Sequence, residues 1–187
     1  SYATDITSIA MAHIERLGDT GDNMYVVDFT IVITPTSEGI NLEAIRCFIE
    51  DLKYIGHLNI SGISFDQFQS ETTIQNLKRN GFEVEKLSVD SSTGPYLDML
   101  SLMNRHQIKV EKNIFLKNNL KCLHMTSTKS GKAKIDHDAS RAQVTSGDES
   151  WDKSFIGYFG KDVSDSVAAS IALCSSKFTI PQVNWKG

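Results

Sequence analysis

The tightest constraint on the fold is a hydrophobic run with abrupt ends. Residues 24–34 (MYVVDFTIVIT) are dense in β-branched side chains, stop at Pro35 and follow the turn cluster 18–23 (GDTGDN). Proline cannot continue a sheet ladder, and glycine beside aspartate marks a turn. Upstream, residues 8–17 (SIAMAHIERL) alternate loosely, so the chain is expected to open on an antiparallel hairpin.

Beyond Pro35 the period changes. In residues 41–55 (NLEAIRCFIEDLKYI) the apolar positions 42, 45, 48, 49, 52 and 55 follow helical spacing, with Asn41 as cap and Gly56 as stop. Residues 58–65 (LNISGISF) form a short apolar run, expected to be a buried strand before Asp66. A helix is expected from Ser70 to Arg79, closed by Asn80-Gly81, then a strand over 82–89 ending at Asp90. Pro95 suits the first turn of a helix reaching His106, and residues 113–125 are expected to be helical again. A short strand at 132–135, a long loop at 138–160 and a helix over 162–176 complete the chain. A hairpin followed by strand–helix–strand crossovers implies an α/β fold, a mixed sheet with helices on both faces. In such sheets sites gather at the carboxyl ends of parallel strands, where Asp66 and Asp90 fall.

The 187 residues, 40% hydrophobic and 22% charged, suffice for one domain with a real core. No run of 18 apolar residues occurs, so no membrane span is expected. Ser1 is followed by no apolar leader and is expected to mark a cut inside a longer protein. Cys47, Cys122 and Cys174 are widely spaced and read as free thiols rather than a metal or disulfide framework.

The net charge of −4 hides an asymmetry. Residues 1–108 hold 7 basic and 15 acidic side chains, whereas residues 109–187 hold 12 and 8. Eight of those basic residues fall between 109 and 141, including Lys121, Lys129, Lys132, Lys134 and Arg141. A basic segment on an acidic body suits a polyanion, although a solvated face without a partner has the same composition.

The acids are the other candidates. Asp66 closes an apolar strand, where a carboxylate is costly to bury unless a metal, a base or hydrogen bonds compensate it; a solvent-facing strand end is the bland alternative. Asp162 and Asp165 in GKDVSDSVA (160–168) share a helix face at i, i+3, although acids in a first turn are also favoured by the helix dipole alone. Carboxylates converging from a first strand, a middle strand and a late helix suit Mg²⁺ or Mn²⁺. No GxxxxGK[ST], HExxH or GxSxG occurs, so no ATP site of the P-loop type is expected in this segment.

Several blocks together resemble the nuclease domain of the large terminase subunit of tailed bacteriophages. They are VDFTIVITP (27–35), IRCFIEDL (45–52), ISFDQFQSETTIQNL (63–77), LSVD (87–90), KIDH (134–137) and GKDVSDSVA (160–168). The resemblance implies an RNase H-like fold and a metal-dependent endonuclease that cuts concatemeric double-stranded DNA with two ions, Mg or Mn. It implies Asp66 and Asp162 as catalytic metal ligands, Asp165 beside them as a further catalytic residue and second ligand or shell residue, and Asp5 near the start as a supporting acid of the metal site. The basic residues would track DNA phosphates. The family's first catalytic Asp sits on a first strand that would fall just before Ser1, so that strand is expected to be incomplete here. The whole of 1–187 would be one nuclease domain of a longer chain with an N-terminal ATPase domain. It would act in the host cytoplasm with the small terminase subunit and the portal or procapsid. A catalytically impaired DNA- or portal-docking module of the same fold, or a resolvase- or transposase-like nuclease, are the alternatives.

Overall fold

The computed structural model describes residues 6–18, 22–66, 71–128, 131–138 and 161–177. Asp5, Lys129, Arg141 and all but the first residue of the loop expected over 138–160 lie outside the described residues. The described elements run β1 (Thr7–Leu17), β2 (Asp22–Ile33), α1 (Leu42–Tyr54), β3 (Ile63–Phe65), α2 (Glu71–Arg79) and β4 (Val84–Lys86). There follow α3 (Gly94–Asn104), β5 (Ile108–Val110), α4 (Ile114–Cys122), β6 (Leu123–Ser127), β7 (Ala133–His137) and α5 (Asp162–Lys177).

β1 and β2 form the expected antiparallel hairpin, and β5 pairs parallel to the far edge of β2. β3 and β4 pair parallel, and β6 and β7 pair antiparallel. The register of the hairpin slips once. Met11 faces Phe29 while Ala12 faces Val27, which leaves Asp28 as the extra residue of a bulge. That bulge explains an acid in the middle of an apolar strand: its carboxylate turns out to His13 Nδ1, 2.8 Å away.

Helices cover both faces of the β1–β2 hairpin, and the alternation of the strands sorts the two cores. Ala10 of β1 and Val27 of β2 pack with Tyr96, Met99, Leu116, Val167 and Ile171 of α3, α4 and α5. Ile9, the neighbour of Ala10, points the other way, to Ile45 and Ile49 of α1 and Ile74 and Leu77 of α2. Leu77 and Ile171 are fully buried, and such burial contributes roughly 1.5–3 kcal/mol each. Local chemistry sets the ends of α1. Asn41 Oδ1 accepts the Ala44 N–H at 3.0 Å, and the Ile55 N–H closes the last turn onto Asp51 O.

Three expectations are corrected. The strand expected over 58–65 narrows to Ile63–Phe65, and the one expected over 82–89 to Val84–Lys86, because these two pair only with each other over three residues. The helix expected over 113–125 ends at Cys122, and the chain continues as β6, since Leu123–Ser127 finds a partner in β7 across a turn at Gly131 (φ +79°). β5 was not anticipated. Three residues carry no readable period, and its existence depends on the open edge of β2.

Candidate functional site

Two contacts fix how α5 lies on β1. Ser8 Oγ meets Ser166 Oγ at 2.9 Å, and the Cys174 thiol meets the Ala12 carbonyl at 3.3 Å. Four strand residues advance about 13 Å and eight helix residues about 12 Å, so strand and helix run side by side in the same direction. β4 runs the opposite way. Glu83, at its start, pairs with Lys177 at the end of α5 (2.6 Å), and Asp90, beyond its end, is bonded by Lys161 just before α5 begins. β3 is parallel to β4 and shares that direction. The carboxyl ends of β3 and β4 therefore meet the first turn of α5.

The acids collect there. Asp66, one residue past β3, lines a groove of about 700 Å³ together with Asp162 and Asp165 of the first turn of α5. The three carboxylates named from sequence thus share one groove. They do not form a compact cage: among the described residues, no three acidic, histidine or cysteine side chains converge closely enough to hold a metal ion.

Asp165 is the most constrained of them. The phenol of Tyr96, itself buried, donates to Asp165 Oδ1 and lies 2.9 Å from Ser164 Oγ. The ammonium of Lys161 bonds Asp90 and sits 3.4 Å from Asp165 Oδ2. Burial pushes the Asp165 carboxyl up to about 6, against the opposing pull of Tyr96 and Lys161. Burial also pushes the Tyr96 phenol far above its ordinary value, and the Asp165 charge adds to the shift. Burial works against the charge on Lys161, but Asp90 and Asp165 outweigh it and hold the ammonium above the ordinary lysine value. One ammonium thus serves two carboxylates, of which Asp165 lines the groove.

Of the residues around Asp165, the sequence marked Asp90 only as a strand-end acid and did not single out Lys161 or Tyr96. Asp90 carried the same strand-end signal as Asp66. Lys161 carried a subtler one, since a cation just ahead of a helix N-terminus opposes the helix dipole and needs acids to justify it. Tyr96, one aromatic in an ordinary helix pattern, carried none.

The basic candidates divide. Lys121 and Lys132 are exposed. Lys134 is partly engaged with the acids, 3.5 Å from Asp136 and 4.0 Å from Asp90. Cys47 is exposed, Cys122 buried and Cys174 half-buried, all as free thiols. None of the described helices is long and apolar enough to cross a membrane.

No family model and no curated protein matches the chain. Solved structures do. The large terminase nuclease of the thermophilic phage G20c is 13% identical, covering 88% of this chain and 82% of its own, with a TM-score of 0.55. The same nuclease with bound magnesium aligns at 15% identity over 88% and 81%, with a TM-score of 0.52. The chain has the RNase H-like fold of a large-terminase nuclease. The large terminase of bacteriophage HK97, at 13% identity, matches 91% of this chain but only 39% of its own length, with a TM-score of 0.56. At these identities the likeness to the terminase nucleases is one of fold, and the chemistry has to be argued from this chain's own residues.

Carboxylate oxygens suit a hard divalent cation, and Mg²⁺ typically takes one or two carboxylates and keeps several waters. Asp66 and Asp162 fit that requirement. Asp165, gripped by Tyr96 and Lys161, fits the part of a support better than that of a ligand.

Proposed function

We propose that the chain is the metal-dependent endonuclease domain of a viral DNA-packaging terminase, acting on concatemeric double-stranded DNA in the host cytoplasm. The observation that carries this is the groove itself, where a strand-end acid and two first-turn acids of a late helix face one space within a terminase-nuclease fold. Asp66 and Asp162 would hold Mg²⁺ or Mn²⁺, with two ions in the working site. Such ions, when bound, activate a water and neutralise charge developing on the scissile phosphate. Asp165 and Asp90, tied through Lys161, would keep the first turn of α5 fixed against β3 and β4 while substrate charge arrives. Asp5 would add an acid from the start of the chain. Lys121 and Lys132, with Lys129, Lys134 and Arg141, would hold DNA phosphates by charge without reading bases.

We further propose that the domain belongs to a longer chain with an N-terminal ATPase, in a complex with a small terminase subunit and a portal. The match to 39% of the HK97 protein supports that arrangement.

Nicking of supercoiled plasmid tests the reading. Cleavage is expected with Mn²⁺, none with EDTA, and a drop of more than about 100-fold in Asp66→Ala, beyond the cost of losing an outer partner of a metal site. Unchanged cleavage by Asp66→Ala would remove the site assignment. A second reading, a docking module that keeps the fold without the chemistry, is favoured by the lack of a three-donor cluster among the described residues. It predicts DNA retention with no cleavage at any Mn²⁺ concentration.

A further inference from the structure

The helices of the fold differ in what they show to solvent. The outer side of α1 carries charge, with Arg46 held between Glu43 and Glu50. Between Gly94 and Asn104, α3 carries one charged residue, Asp98. Its inner side buries Tyr96, Met99 and Leu102 in the core. Its outer side is apolar as well: Leu97 is 45% exposed, Leu100 51% and Met103 42%. A helix that is apolar all round is ordinarily covered all round. The groove beside the acids does not account for this face, since α3 contributes nothing to its lining.

The outer residues of α3 are arranged about a centre. Asp98 and Arg105, the residue that follows the helix, are both exposed and seven positions apart, so they stand on one flank two turns from each other. Neither side chain is in an ion pair with another described residue. Leu100 and Met103, three apart, stand on the other flank, with Leu97, Ser101 and Asn104 between the two. Both pairs have the same midpoint, between Ser101 and Leu102. A second α3 laid antiparallel about that midpoint sets Asp98 of each copy against Arg105 of the other on one flank. On the other flank it sets Leu100 of each copy against Met103 of the other. Ser101, small and central, lets the two axes approach to the roughly 8–10 Å of ordinary helix packing. Laid parallel about a two-fold axis, the charged flank of each copy would instead meet the apolar flank of the other. The charges therefore select one orientation, as flanking charges do in paired helices.

We propose that the outer face of α3 is a self-association surface, covered by α3 of a second copy of this chain lying antiparallel across a two-fold axis. Such an interface is isologous, so every contact in it occurs twice. A pair of three-turn helices buries less than the roughly 800 Å² per partner of a standard interface, so the dimer is a weak one that forms at high concentration. No residue of the acid groove takes part in it. The dimer stands apart from the nuclease reading, because it is measured as mass, without metal or DNA.

Sedimentation velocity at low salt in EDTA tests it. The weight-average mass is expected to rise from the 20.8 kDa of one chain toward twice that value between about 10 and about 500 μM. Asp98→Arg and Arg105→Asp should each weaken association at least about fivefold, because each turns two attractive pairs into two repulsive ones. The double variant Asp98→Arg/Arg105→Asp should restore wild-type association, which only the antiparallel pairing requires. Leu100→Glu should leave the chain monomeric throughout; circular dichroism checks its folding, and if it does not fold the charge-reversal set decides alone. A mass that stays at one chain up to the highest concentration overturns the proposal. So does association that survives in folded Leu100→Glu, or a double variant no stronger than the single ones.

Discussion

Asp165 is under opposing demands. Its position in a first helical turn and its contacts with Tyr96 and Lys161 favour the carboxylate, while burial disfavours it strongly enough to bring its pKa to about 6. An acid whose folded value lies above its unfolded value of about 3.9 costs stability above the folded pKa and regains it on acidification. In EDTA, wild-type stability relative to Asp165→Asn should therefore rise as pH falls from 7.5 to 4, by up to about 3 kcal/mol. Urea midpoints at the two pH values check this; a difference that grows with rising pH would mean that the ion pair outweighs burial.

At the scale of elements, the junction of β5, α4 and β6 shows how context overrides pattern. Asn113 caps α4 through the Leu116 N–H at 3.0 Å, and its amide also donates to Thr30 Oγ1 of β2. One side chain thus starts the helix and ties it to the hairpin. Asn113→Ala should cost about 1–2 kcal/mol in chemical denaturation, against a few tenths for an exposed substitution on the same helix such as Lys117→Ala. The helix bounds at 42–54 and 162–177 were close to legible because an acidic first turn and an apolar stripe agree in both, with the Asn41 cap as a further signal in α1. β3, β4 and β5 were not, since each has three residues and owes its existence to a neighbour far away in sequence.

At the scale of the molecule, charge is divided by position. Asp90, beyond the carboxyl end of β4, and Asp165 of α5 are buttressed by Lys161, and exposed cations remain on α4 and near β7. Replacing Lys121 and Lys132 with Gln should weaken DNA binding uniformly across sequences and lower the slope of log affinity against log salt by about 2, roughly one per lost phosphate contact. A fluorescence-anisotropy salt titration reads this, and an unchanged slope would return those residues to solvation alone.

The sequence by itself determined the hairpin and the amphipathic helices, and it marked the acids at chain positions 66, 90, 162 and 165 as candidates, because each depends on neighbours within one or two turns or a single strand. Tertiary structure alone decided that Tyr96 grips Asp165, that Lys161 reaches back to Asp90, and that α5 lies with β1 and against β4. Those facts rest on contacts between residues about 70 to 160 positions apart, such as Tyr96–Asp165 and Ser8–Ser166, and no local pattern encodes a direction of approach.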